Sequence, residues 1–205
     1  KPFFFWATQS IVKFIEIENL IFVVLKEHVE KYDIDKKILE YYPNAKIQII
    51  NNVLNGAVFT CLEGIKLIDN DDPILFNDCD HAFLSEMFYK YCMEHNFSYI
   101  DGALLTFYSN EAKYSYIALD EKNNVIETME KKVISDKAIC GAYYFKNKKI
   151  FKKTIHEEID LICVSINETQ NEDIISCYIS DISVFEIYLD SICERLEKKE
   201  PSAMD

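Results

Sequence analysis

Glycine and proline are scarce in this chain, four of each among 205 residues, and tryptophan occurs once. Collagen-like and linker-like polypeptides need Gly and Pro in abundance, so those architectures are excluded. Basic residues are short as well: 22 Lys and Arg stand against 35 Asp and Glu, a net charge of −13. A field of that sign repels nucleic acid and anionic lipid, so neither is an expected partner. Any bound phosphate must be met by a local lysine, by backbone amides or by a metal. The seven cysteines (residues 61, 79, 92, 140, 163, 177 and 193) are odd in number and include no Cys-x-x-Cys pair. That argues against a disulfide scaffold or a structural zinc site, and for a reducing cytoplasm. No apolar run approaches the roughly 18 residues of a membrane span, and no signal-peptide pattern opens the chain. The first residue is Lys1 rather than Met, so a longer polypeptide from which a segment has been removed or left out is expected.

What is present is an ordinary apolar content, 49% hydrophobic, enough for one domain with a real core. Its centre is Pro73-Ile74-Leu75-Phe76-Asn77-Asp78-Cys79-Asp80. A short apolar strand runs into a tip carrying two carboxylates. If the strand stays extended, Asp78 and Asp80 project from one face roughly 7 Å apart and repel by about 2 kcal/mol at an effective dielectric near 20. A cation relieves that repulsion, and Mg²⁺ suits a place with one or two carboxylates and phosphates for the remaining positions. The structural alternative is that the acids cap a helix beginning near His81.

In chain order, the aromatic Lys1–Trp6 segment reads as extended and Ser10–Glu16 as a short helix. Leu20–Leu25 reads as a buried parallel strand, His28–Tyr42 as a helix stopped by Pro43, Lys46–Ile50 as a strand and Gly56–Ile68 as a helix. The central strand and a helix over His81–His95 come next. This alternation predicts a layered α/β fold with a mostly parallel sheet. Strands are then expected in succession at Tyr99–Tyr108, Tyr114–Leu119, Val125–Val133 and Cys140–Phe145, with a hairpin turn at Glu121–Asn124. A helix over Lys148–Ile166, a loop over Asn167–Asp173, a strand over Ile174–Ile179, a helix over Ile182–Lys198 and a frayed tail complete the reading.

Several blocks, in order and spacing, resemble the sugar-1-phosphate nucleotidyltransferases, the pyrophosphorylases of the glucose-1-phosphate thymidylyltransferase kind. They are Lys1-Pro2; Val53-Leu54-Asn55-Gly56-Ala57; Asn70 through Asp80; Asp101-Gly102-Ala103-Leu104-Leu105-Thr106-Phe107; Glu127-Thr128-Met129-Glu130-Lys131-Lys132; and Ile139-Cys140-Gly141-Ala142-Tyr143-Tyr144-Phe145. The resemblance implies a three-layer, Rossmann-like nucleotide-diphospho-sugar transferase fold with a mixed, mostly parallel sheet. One domain would span 1–205, with a nucleotide and metal half over 1–96 and a sugar-phosphate half over 97–205. It implies attack of a sugar 1-phosphate on the α-phosphorus of a nucleoside triphosphate with Mg²⁺ bound, and release of pyrophosphate, in a cytoplasmic pathway such as polysaccharide precursor synthesis.

Carried over by position, the resemblance makes Asp80 the metal ligand, Asp78 a second one, and Lys1 a group facing the phosphates. Asn55, Gly56 and Ala57 would line the base; Asp101, Gly102 and Gly141 would lie beside the sugar. Glu130 would accept sugar hydroxyls and Lys131 would hold the sugar phosphate. The residues themselves leave plainer roles open: Gly56 as a helix start, Gly102 as a bulge, Lys131 as a solvated strand residue, Cys79 as a small buried side chain. The histidines read as packing residues, with His81 near the acids. The family's glycine-rich loop and its strand, interior to the sheet, would precede Lys1. Two alternatives stand beside transfer: a metal-dependent glycosyltransferase of the same fold, and a non-catalytic homologue that binds a nucleotide or sugar phosphate.

Overall fold

The computed structural model describes residues 1–93, 101–153 and the strand 161–165. The expected loop over 167–173, strand over 174–179, helix over 182–198 and tail lie outside the described residues.

Helix α1 spans Phe3–Val12, where an extended aromatic segment was expected from the composition. The helix wins because Trp6, Ala7, Ser10 and Ile11, all buried, form one helical stripe that runs from the aromatic segment into the residues after it. Strands β1 (Ile21–Leu25) and β2 (Lys46–Ile50) pair in parallel, Ile21 opposite Lys46 and Leu25 opposite Ile50. The helix expected between them is two helices, α2 (Lys26–Tyr32) and α3 (Ile34–Tyr41). Asp33 breaks them with a left-handed backbone, φ 50°, a conformation that Asp tolerates better than most residues. Helix α4 (Ala57–Gly64) runs into a 3-10 turn, Ile65–Leu67, and then strand β3 (Ile74–Asn77).

β3 does not join β1 and β2. It pairs antiparallel with β7 (Lys137–Phe145), Ile74 opposite Phe145 and Asn77 opposite Ala142. After α5 (Glu86–Met93) come β4 (Gly102–Tyr108), β5 (Tyr116–Leu119), β6 (Val125–Met129), then, beyond β7, α6 (Lys148–Lys153) and β8 (Leu161–Ser165). The six-stranded sheet has the order β6-β5-β7-β4-β8, with β3 also on β7, and only its β4–β8 pairing is parallel. The expectation of a mostly parallel sheet is thereby corrected. β3, β4 and β5 all run opposite to β7, and β5 and β6 are joined by a short reversal, which can connect only antiparallel neighbours. The β5–β6 reversal shows this: Asp120 Oδ1 accepts from the amides of Lys122 and Asn124, both at 2.8 Å, around Asn123 at φ 65°. Residues 161–165 also depart from the long helix expected after Lys148. Leu161-Ile162-Cys163-Val164 is a continuous apolar run of strand length, which periodicity alone does not separate from a buried helix.

Alternation along the strands builds a core on each face of this sheet. Ala138, Cys140, Ala142 and Tyr144 of β7 pack with Ala103, Leu105 and Phe107 of β4 against Phe83, α5 and Ile11 of α1. On the other face Phe145 and Tyr143 pack with Ile74 and Phe76 against α6 and the end of α4. The mixed α/β character is therefore as expected, with helices on both sides of the strands.

Two helices also tie the parallel pair to the larger sheet. α1 sets Phe4 edge-on to Phe22 of β1, centroids 5.9 Å apart, and its Ala7 carbonyl accepts from Asn77 Nδ2 of β3 at 3.1 Å. On α4, a Cβ at Gly64 would lie 3.1 Å from Val23 of β1, while the adjoining Ile65 packs with Ile74 of β3. Among the described residues β1 is paired only with β2, and β3 only with β7.

Candidate active site

β7 changes partner along one edge. Its first residues pair with β5, Ile117 opposite Lys137 and Tyr116 opposite Ala138, and the Ile139 amide donates to Ser115 O at 2.8 Å. From Gly141 onward the partner is β3, starting with the Asp78 amide donating to Gly141 O at 2.9 Å. β3 advances along β7 toward the start of β5 and must leave the sheet before meeting it. The acidic tip is where it leaves.

The strand ends at Asn77 and the chain turns, the His81 amide donating to Asp78 O at 3.4 Å. The extended geometry that would set both acids on one face is therefore replaced by a turn, with Cys79 and Asp80 exposed at its tip. His81 is 8% exposed, and its Nδ1 lies 3.5 Å from Asp78 Oδ2. Burial disfavours the imidazolium, but Asp78 and the charge of Asp80 outweigh it and raise the His81 pKa.

The acids do not cap the next helix. α5 starts at Glu86, and its Phe88 amide donates to Ser85 Oγ at 3.2 Å. Ser85 is 1% exposed, and the loop before it is pinned by Tyr89 Oη donating to Phe83 O at 3.0 Å. Ser85→Ala should therefore lower stability by about 1 kcal/mol, with Asp78→Asn and Asp80→Asn leaving the helix content seen by circular dichroism unchanged. Loss of helix with either Asp substitution and none with Ser85→Ala would contradict this.

Gly141 closes the site from the β7 side. Its φ is +78°, and a Cβ there would lie 2.7 Å from Asp78 Oδ2 and 3.1 Å from Asp78 Cβ, closer still to His81 Nδ1. Around the acids, burial and then the Asp78 charge push the thiol of Cys61 up to about 11 and that of Cys140 up to about 12. Desolvation, then the charges of Asp80 and Asp78, raise the Cys79 thiol. Burial, and after it Asp78, also raises the Tyr143 phenol. All four stay neutral near pH 7. In the metal-free protein the carboxylate oxygens are thus the anionic donors at the tip, a set that fits a hard cation such as Mg²⁺. Among the described residues no three His, Cys, Asp or Glu are grouped to enclose a metal ion, so phosphates and water would complete the coordination of such a cation.

The remaining sequence-derived residues fall in four places. Asn55, Gly56 and Ala57 form the exposed start of α4, where Gly56 has φ 115° and donates to Leu54 O at 2.8 Å. Ala57 lies one helical turn before Cys61, about 6 Å along the axis, and Cys61 is close enough to Asp78 to be influenced by its charge. Glu130 and Lys131 are exposed in a turn just past β6, Lys131 at φ 51° and 3.6 Å from Glu130. The strand expected to reach Val133 ends at Met129, opposite Tyr116 at the start of β5. Strand geometry puts the end of β6, where this turn begins, about 11 Å from Asp78.

Asp101 and Gly102 lie elsewhere. Gly102 is opposite Phe145, level with the beginning of β3, and Asp101 O accepts from the Lys146 amide at 2.9 Å. That is about 13 Å along the sheet from Gly141. Lys1 stands on its own helix, Nζ 4.4 Å from the Phe5 ring centroid and 5.2 Å from that of Trp6. Sequence reasoning passed over Ser85, Cys61, Tyr143 and Asn77, whose buried Oδ1 has no hydrogen-bond partner. Of these, only Ser85 carried a local signal, a cap residue just before Glu86.

His81 gives the site a pH signature. A raised folded-state pKa contributes stability that is complete below the unfolded value, about 6.5, and is lost as pH rises through the folded value. The unfolding midpoint of the metal-free protein should fall between pH 6 and pH 8, and His81→Asn should flatten that slope. An equal slope in both proteins would show that His81 is not its source.

No family model matches the chain. A wall-associated protein of Geobacillus stearothermophilus is 27% identical over 110 residues, which are 54% of this chain and 39% of that protein. The matched stretch thus spans well under half the length of that relative. Among solved structures, a Vibrio cholerae nucleoside-diphosphate-sugar pyrophosphorylase superposes with a TM-score of 0.65 at 15% identity, covering 83% of this chain and 82% of the other. The inositol-1-phosphate CTP transferase of T. maritima gives 0.68 at 12% identity, over 96% and 83%. A Bacillus anthracis structure assigned as a glucose-1-phosphate thymidylyltransferase gives 0.69 at 12% identity, over 97% and 83%. These likenesses establish the fold, that of the nucleotide-sugar pyrophosphorylases, the family whose motifs the sequence resembles.

Proposed function

We propose that this chain transfers a nucleoside monophosphate from a nucleoside triphosphate to a sugar 1-phosphate, giving a nucleotide sugar and pyrophosphate. The observation that carries the reading is the Asp78–Asp80 tip. It is held at the junction where β7 changes partner and is not consumed in capping a helix. A net-negative protein that binds polyphosphate needs local positive charge, and the tip would acquire it as bound Mg²⁺. The metal, when bound, would neutralise charge on the reacting phosphates. Asp80 would hold it, with Asp78 beside it in the same turn.

The chain's own groups supply the rest. The Asn55–Ala57 loop presents backbone where the glycine lets a base or phosphate approach closely. Gly141 keeps the opposite wall free of a side chain. Glu130 and Lys131 would take the sugar hydroxyls and sugar phosphate, and Lys1 the triphosphate. Phosphoryl transfer asks for positioning and charge neutralisation more than for a covalent nucleophile. Asp101 and Gly102, at the other end of the sheet, would close β4 onto β7 rather than touch substrate. We read residues 1–205 as one domain of three layers, with its nucleotide half over 1–96 and its sugar-phosphate half over 97–205. Its product would be an activated sugar for polysaccharide synthesis, made in the cytoplasm.

The direct test is pyrophosphate release from each of the common nucleoside triphosphates with a panel of sugar 1-phosphates and Mg²⁺. Release should require triphosphate, sugar phosphate and metal together. Absence of release in every combination, with triphosphate still raising the unfolding midpoint, would turn the reading to binding without turnover.

A further inference from the structure

We propose that the two acids have different jobs: Asp80 takes the cation directly, and Asp78 with His81 forms a positioning pair that holds the turn presenting it. The inference rests on the transferase reading only in placing a divalent cation at the acidic tip. Asp78 is fixed from three sides. Its amide donates to Gly141 O at 2.9 Å, its carbonyl accepts from the His81 amide at 3.4 Å, and its Oδ2 faces His81 Nδ1 at 3.5 Å. On the β7 side the carboxylate lies so close to the Gly141 Cα that even a methyl group there would be 2.7 Å from Oδ2. An oxygen so engaged has fewer directions left from which to bind a metal.

The Asp78 side chain still keeps 45% of its surface open, so the contrast with Asp80 lies in what its Oδ2 faces and in Asp80 being the more exposed residue. Asp80 is exposed, at the tip of the four-residue turn that Asp78 and His81 close. His81 is buried, so its imidazole is held against the carboxylate by packing. Fixing the two ends of so short a turn fixes the residue carried at its tip. This is how an outer partner orients a metal-binding carboxylate without touching the ion.

The test uses Mn²⁺ as the probe, with binding to the full chain read from loss of the free-ion electron paramagnetic resonance signal. Asp80→Asn should abolish binding. Asp78→Asn and His81→Leu should each weaken it by about 10- to 100-fold, and the double variant should be no weaker than either alone. His81→Asn, whose amide can stand where Nδ1–H stands, should stay within about threefold of the unaltered protein. Three results would overturn the proposal: Asp78→Asn abolishing binding as completely as Asp80→Asn, a folded His81→Leu binding as tightly as the unaltered chain, or the unaltered chain taking up no Mn²⁺. Should His81→Leu not fold, the comparison of Asp78→Asn with Asp80→Asn decides. Coupled Mn²⁺ binding in a chain that transfers no nucleotide would keep the pair and defeat the transferase reading. Pyrophosphate release unaffected by His81→Leu would do the reverse.

Discussion

Asp80→Asn should reduce Mg²⁺-dependent pyrophosphate release by about 10³-fold or more, equivalent to about 4 kcal/mol of lost transition-state stabilisation, while leaving the metal-free protein as stable as before. The side chain is exposed in a turn, and substitutions in such places usually move stability by less than about 0.5 kcal/mol. It caps no helix, since Ser85 has that role. What the substitution removes is one anionic oxygen donor. Added Mg²⁺ and triphosphate should therefore raise the unfolding midpoint of the unaltered protein and not that of the variant. A variant that loses activity together with most of its stability would mean that Asp80 is a folding residue.

Gly141→Ala should be the most damaging substitution outside the acids. The left-handed backbone at φ +78° costs an alanine roughly 1–2 kcal/mol, and the methyl group would also press on Asp78 and His81. The pair must move, and a displacement of about 1 Å near a reacting group can cost on the order of 10²-fold in rate. Both the unfolding midpoint and kcat/KM should fall. Gly56→Ala provides the contrast: its φ of +115° is equally foreign to alanine, but a Cβ there meets nothing within 4 Å. It should lose comparable stability without shifting the acids. Full activity in Gly141→Ala would remove the crowding at Asp78 from any functional account.

The first half of this fold was largely legible in the sequence, because its signals are local. β2 occupies Lys46–Ile50, the segment its apolar run marks, and β1 starts one residue inside the expected segment. The aromatic opening misled because Phe3–Trp6, taken alone, is too short to show a period; read through to Ile11 it is a helical stripe. Asp33 was invisible because a single left-handed residue leaves the apolar pattern of both flanking helices intact. The pairing of β3 could not be read at all. Nothing in Ile74–Asn77 says whether its neighbour is β1, before it in the chain, or β7, some sixty residues later.

The site divides in the same way. Asp78 and Asp80 stand out as a pattern within one segment, and Gly141 as part of another. That Gly141 backs directly onto Asp78 and His81 depends on the register of β3 with β7, which is a property of the fold. His81 is near the acids in sequence, but its burial beside Gly141 is a product of the fold.

The most direct measurement runs the proposed reaction backwards. The protein is incubated with labelled pyrophosphate, Mg²⁺ and a panel of nucleotide sugars, and label is sought in nucleoside triphosphate. The account predicts labelled triphosphate from at least one nucleotide sugar, none without Mg²⁺ and none with Asp80→Asn. A glycosyltransferase of the same fold would instead consume the nucleotide sugar without incorporating pyrophosphate, and that outcome would contradict the account.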